Sequence, residues 1–317
     1  MKRSAVIWGI VGILASATLT AQSVGTTSFE FLKTQYSARG AALGSNLVAI
    51  PGDINAIFVN PAVLADLTGS HYTVNYVDHL LDLQGGQLAW ATRQEGLGTV
   101  GVGLIYFNYG DFEETDEFGA PTGRSFGASE FALAATLSNA LGEGFDYGLN
   151  VKFIYSALDD YSASAVALDA GLGYTPDFIS DLRIGFSIAN LGATITNYTE
   201  ADEKLPLYLR VGFSKRLAHL PLMVTAALND LTLQTEDNLD LFQRFSLGGE
   251  FDVSEQVKFR IGYDNGINQS VKPLGGRNFG GLSAGLGVSV SSFRLDYAFS
   301  TYGDLGSQNR LGLTGTF

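Results

Sequence analysis

From residue 70 onward, apolar and polar positions alternate with a period of two. In 145–155 the odd positions are Phe145, Tyr147, Leu149, Val151, Phe153 and Tyr155, and the even ones are Asp146, Gly148, Asn150, Lys152 and Ile154. A strand sends successive side chains to opposite faces, so this stretch reads as a strand with one apolar face. The same pattern recurs in 166–174, 182–188, 207–213, 257–263 and 293–300. Fourteen strands are predicted, at 70–79, 84–93, 98–109, 126–139, 145–157, 164–176, 182–192, 205–216, 220–230, 241–253, 255–264, 279–290, 292–301 and 308–317.

The charges sharpen this reading. Lys152, Asp169, Arg183, Arg210, Glu250, Arg260, Arg294, Asp296 and Arg310 fall on the less apolar parity of their strands, as do Glu130 and Lys258. A charge facing lipid at mid-bilayer costs ~2–4 kcal/mol, so segregation by parity is what a spanning barrel requires. A soluble sandwich also alternates, but its water-facing positions carry more Lys and Glu than the Gly, Ser, Ala and Asn found here. The predicted architecture is therefore all-β: a 14-stranded antiparallel transmembrane β-barrel whose polar parity lines a crowded lumen. The even-numbered connections are short and the long ones (110–125, 193–204, 231–240 and 265–278) share one end. That asymmetry is expected of short periplasmic turns and longer outer loops.

Three segments make up the chain. Lys2 and Arg3 precede an uncharged stretch, 4–22, that ends in small or polar residues, which reads as a signal peptide over 1–21. Residues 22–69 form an N-terminal plug or hatch segment, with a short helix and glycine stop expected in 29–44. The barrel occupies 70–317. The expected location is the bacterial outer membrane, in contact with its lipid and lipopolysaccharide.

Composition excludes several classes. The 317 residues include no cysteine, so disulfide frameworks, thiolate metal sites and lipoprotein anchors are out. The net charge of −13 argues against nucleic acid as a partner. The acids concentrate in the predicted outer loops: Asp111, Glu113, Glu114, Asp116 and Glu117 beside Phe112, then Asp159 and Asp160, Glu200, Asp202 and Glu203, and Glu236 and Asp237. They read either as a partner-docking or cation-binding rim or as a solvated loop surface, and they lack the ordered spacing of an EF-hand. Only His71, His79 and His219 are present, with no Gly-x-Ser-x-Gly and no His-Glu-x-x-His, so an enzyme is not expected and no cofactor is implied. Paired glycines (Gly101 and Gly103, Gly171 and Gly173, Gly285 and Gly287) read as curvature points or as a lateral gap. Phe317, ending the final strand, reads as an aromatic assembly signal.

Asn60-Pro61-Ala62 ahead of such a barrel resembles the long-chain fatty-acid transporter (FadL-like) superfamily. Further segments resemble the PorV/PorQ family of the type IX secretion system, closest to the PorQ branch. They are Phe29-Glu30-Phe31-Leu32 with Ser37-Ala38-Arg39, Tyr109-Gly110-Asp111-Phe112, Lys152-Phe153-Ile154-Tyr155-Ser156, and Asn190-Leu191-Gly192. The second resemblance implies a non-enzymatic, monomeric barrel that anchors other secretion-system surface proteins within a complex. The first implies a channel for hydrophobic small molecules.

Overall fold

The computed structural model describes residues 27–232, 238–272 and 279–317. The expected signal peptide, and Glu236 and Asp237, lie outside them. Fourteen antiparallel strands close into one barrel, each paired with its neighbours in sequence and the first with the last. They are β1 (Ser70–Asp78), β2 (Gln84–Gln94), β3 (Gly98–Thr115), β4 (Pro121–Gly142), β5 (Phe145–Leu158), β6 (Tyr161–Tyr174) and β7 (Leu182–Thr196). The second half comprises β8 (Tyr208–Arg216), β9 (Leu222–Leu228), β10 (Phe245–Asp252), β11 (Val257–Asp264), β12 (Leu282–Val290), β13 (Phe293–Thr301) and β14 (Ser307–Thr316). Closure pairs every strand with two neighbours, as a hydrocarbon surrounding demands because no water is present to satisfy free backbone groups.

The parity of the sequence is the parity of the wall. Leu149, Val151 and Phe153 of β5 face outward and are exposed, while Asn150, Lys152 and Ile154 between them are buried inside. Leu286, Leu295 and Leu311 continue the outward band across β12, β13 and β14. Aromatic pairs gather at the short-turn end: Phe145 stacks on Tyr174 at 4.3 Å, and Tyr72 meets Phe317 at 5.7 Å. A closed barrel with a lipid-facing apolar band and an aromatic girdle places this chain in the bacterial outer membrane.

Two expectations change. The stretch 110–125 is not a loop: β3 and β4 run on past the barrel wall and meet at a turn over 116–120, so most of it is a protruding hairpin. Its strands are bathed in water on both faces, so no apolar alternation was needed to make them. The 29–44 helix is instead two elements, a 3-10 turn at Glu30–Lys33 and α1 at Ala38–Ala42, separated by extended backbone. Ser37 caps α1 by accepting from the Gly40 N–H, and Gly44 ends it at a φ of 70°. On the outer side, α2 (Asn265–Ser270) occupies part of the β11–β12 connection.

Wall height is uneven. Strands β3–β7 have 14 to 22 residues, whereas β8–β11 have seven to nine. The lumen is filled by residues 29–67. Leu43, Leu47, Ile54, Ile57, Val63 and Leu64 of this plug are each no more than 1% exposed. Burying each such side chain favours the seated state by ~1.5–3 kcal/mol.

Candidate functional site

The plug is seated on the glycines of the lumen face. A Cβ built on Gly148 would stand 2.2 Å from the Pro61 carbonyl carbon, on Gly185 2.1 Å from the Val48 oxygen, and on Gly262 2.1 Å from the Gly44 nitrogen. On Gly171 it would meet the Asn60 side chain at 2.0 Å. These positions admit no side chain because plug backbone lies against them. One glycine of each pair is thus clearance for the plug, Gly103 opposing the Phe58 ring, Gly171 the Asn60 side chain and Gly285 the Ala42 methyl, while Gly173 and Gly287 make room for the wall side chains Arg183 and Arg260.

Asn60, Pro61 and Ala62 form the central fastening. Asn60 is fully buried; its Nδ2 donates to the carbonyls of Val48 (2.6 Å) and Leu172 (3.2 Å), and its Oδ1 accepts from the Ala62 N–H at 3.1 Å. Pro61 occupies the first position of the 3-10 turn Pro61–Asp66, where no N–H is required. Nearby, Asn55 accepts from Thr73 and Asn75 of β1, both at 2.8 Å, a hub the sequence reading did not single out.

The lumen charges fasten the plug at the short-turn end. Arg39 pairs with Asp53 (2.7 Å) and Glu250 (2.8 Å), Glu250 with Arg260 (2.6 Å), Arg260 with Asp296 (2.7 Å), Asp296 with Arg294 (2.7 Å), and Arg294 with Asp53 at 3.9 Å. Three arginines and three carboxylates alternate around a closed, neutral ring that joins the plug to β10, β11 and β13. Burial alone would push the Asp53 carboxyl up, but Arg39 and Arg294 outweigh it and hold it at about 2. Elsewhere, Arg183 bridges Asp146 of β5 (2.7 Å) and Asp66 of the plug (3.0 Å). Lys152 pairs with Asp169 at 2.7 Å and bonds Asn190. Arg310 donates to the Gln35 carbonyl at 2.7 Å. Arg210 lies over the Tyr208 ring, 3.8 Å from its centre. Neither Arg39 nor Asp53 was among the predicted lumen charges, because the plug carries no periodicity that would assign them a side.

Toward the outer end the plug becomes apolar and aromatic. Phe29, Phe31, Tyr36 and Phe58 join Phe107, with Tyr109 and Tyr198 packed against them. Phe107 and Tyr109 lie 4.9 Å apart, and Phe29 stacks on Tyr198 at 6.5 Å. This cluster includes Leu205, beside a break in the wall. Pairing of β7 with β8 stops at Ala189 opposite Tyr208, while β7 continues to Thr196 paired only with β6. Asn190 stands at the break with a φ of 66°. Residues 197–207 cross the unpaired seam, fixed by Asn190 Nδ2 to the Pro206 carbonyl (2.8 Å) and Thr194 Oγ1 to the Glu203 carbonyl (3.5 Å).

The predicted rim acids divide. Asp111, Phe112, Glu113 and Glu114 stand on the protruding hairpin, where Phe112 stacks on Phe126 at 5.6 Å. Arg124 ties Glu114 to Asp159 and Asp160. Asp116 shapes the hairpin turn by accepting from the Phe118 and Ala120 N–H groups, and Ser28 donates to Glu203. Glu117, Glu200 and Asp202 are exposed. Among the described residues no group of three or more His, Asp or Glu could hold a metal ion. Phe317 lies one residue beyond β14, its N–H donating to the Ser70 carbonyl where the barrel closes.

A closed 14-stranded antiparallel barrel is the fold of the FadL-like outer-membrane proteins to which this chain is similar. The chain is similar in structure to the Pseudomonas putida toluene transporter TodX, with a TM-score of 0.57 and 12% identity over 94% of this chain and 98% of that one. It is also similar to the CymD monoaromatic hydrocarbon channel (0.53, 13%, 88% and 96%) and to a Pseudomonas aeruginosa FadL homologue (0.53, 14%, 94% and 99%). No protein-family model matches the chain, and no curated protein does. At these identities the likeness is one of fold, shared with transporters and channels.

Proposed function

We propose that this barrel passes small apolar molecules across the outer membrane, taking them up at the outer mouth and releasing them through the wall between β7 and β8. The observation that carries this reading is the aromatic cluster of the outer half abutting a seam without strand pairing, above a lumen that the plug occupies. An apolar solute gains nothing by crossing the ion pairs near the short-turn end, where its burial would displace charged partners. A sideways exit delivers it into hydrocarbon. The names of the structural neighbours, hydrocarbon channels and a toluene transporter, support the same substrate class.

The chain has no cysteine, so the seam can be locked cleanly. With Thr194→Cys and Glu203→Cys joined by a short thiol cross-linker, uptake of radiolabelled toluene into proteoliposomes should fall to the protein-free rate. Either single variant, treated alike, should keep it. Uptake indifferent to the lock, or no protein-dependent uptake at all, refutes the route.

A second reading, an anchor for secretion-system surface proteins, is favoured by the protruding hairpin. It carries Phe118 at 87% exposure and a run of acids, features a permeation route does not use. Replacing 111–126 by a short turn should abolish recovery of co-purifying surface proteins from native membranes if that reading is right. It should leave toluene uptake untouched.

A further inference from the structure

Arg210 is the one described arginine with neither a carboxylate within 4.0 Å nor a hydrogen-bonding partner other than the Tyr208 side chain, which its guanidinium overlies. Arg93 and Arg310 also lack ion pairs, but both donate hydrogen bonds. Arg210 is only 7% exposed, and its Nη1 has no partner. The carboxylates nearest in the fold are taken: Asp169 by Lys152 at 2.7 Å, and Asp230 by Lys33 at 3.6 Å and Arg244 at 3.8 Å. Lys33, which also pairs with Glu30 at 3.4 Å, stands 5.7 Å from the centre of the Tyr208 ring on which Arg210 lies.

Both cations line an interior cavity of about 30 Å³, together with the donor-bearing side chains of Gln35, Ser45 and Gln87. A buried guanidinium left without a counter-charge is far costlier than a paired one. A buried unpaired donor in a native fold points to an occupant. The space suits one or two atoms the size of water and leaves no room for an acyl or aromatic tail.

We propose that this cavity holds a small inorganic anion of halide size, clasped by Arg210 and Lys33 between the plug and β8. The ion completes the charge pairing of the plug's outer half and is a structural component, distinct from any transported solute. It should therefore stabilise the seated plug.

The test uses the full-length barrel in neutral detergent. At constant ionic strength, exchanging gluconate for chloride or bromide should raise the melting temperature by several degrees. Arg210→Gln, if it retains the heat-modifiable mobility of a folded barrel, should abolish that dependence. Crystals of the unaltered protein grown in bromide should show an anomalous peak beside the Arg210 guanidinium, whether or not the variant folds. A halide-independent melting temperature with no bromide peak, which is the outcome for water alone in the cavity, overturns the proposal. So does a bromide peak away from Arg210.

Discussion

At the scale of single residues, the plug's seat is defined by absences. Gly148, Gly185 and Gly262 touch plug backbone where any Cβ would collide. Gly185→Val should therefore destabilise the barrel by ~1–3 kcal/mol, the usual cost of overpacking, read as a lower melting temperature in detergent. Asn60→Ala removes the donor that serves two buried carbonyls. It should cost ~1–3 kcal/mol in the same assay and speed proteolysis within residues 29–67. The sequence displays these glycines openly but not their purpose. Alternation reveals that they face the lumen, while the partner that demands them lies about a hundred residues away or more. Clearance is a relation between two segments, and a period-two pattern belongs to one.

The behaviour of an element is clearest in the ring that joins the plug to β10, β11 and β13. Asp53 is held at about 2, below the usual carboxylate value of ~3.9, so its folded form binds a proton less readily than its unfolded form. Its stabilising contribution is complete above about pH 4 and is lost as pH falls towards 2. Release of the plug, followed by limited proteolysis, should rise over that window, and Asp53→Asn should remove that part of the pH dependence. Arg39→Ala opens the ring, leaving Asp53 only the 3.9 Å contact with Arg294 while Glu250 keeps Arg260, and should cost ~3–5 kcal/mol in chemical unfolding. Strand-level features were the most legible: parity assigned Lys152, Asp169, Glu250 and Arg260 to one side, and the structure buries all four. The outer ends were less so. Beyond the bilayer nothing forces apolar and polar residues to alternate, and the hairpin strands carrying Asp111 and Arg124 therefore read as loop.

For the whole molecule, orientation follows from the unequal ends. The long hairpin, α2 and residues 197–207 share the end opposite the short turns, so the tip of the hairpin faces the exterior. A membrane-impermeant maleimide should label Phe118→Cys in intact cells and leave Glu143→Cys, in the β4–β5 turn, unlabelled until the outer membrane is permeabilised. Tyr198, in the connection beside the break, stacks on Phe29 of the plug and so joins the break to the aromatic cluster, a conjunction invisible in any one strand.

Because β1 hydrogen-bonds to β14, the wall is completed only when the two ends of the strand sequence meet. Residues 29–67 precede β1, yet they rest on strands from both halves of the wall. A sealed cylinder of this girth leaves no space through which that segment could be threaded into glycine recesses and buried charge pairs. The order of biogenesis is thereby constrained: the sheet must curl around a segment already docked, with the β1–β14 junction zipped last. A chain stalled just before that junction should already shield residues 29–67 from protease.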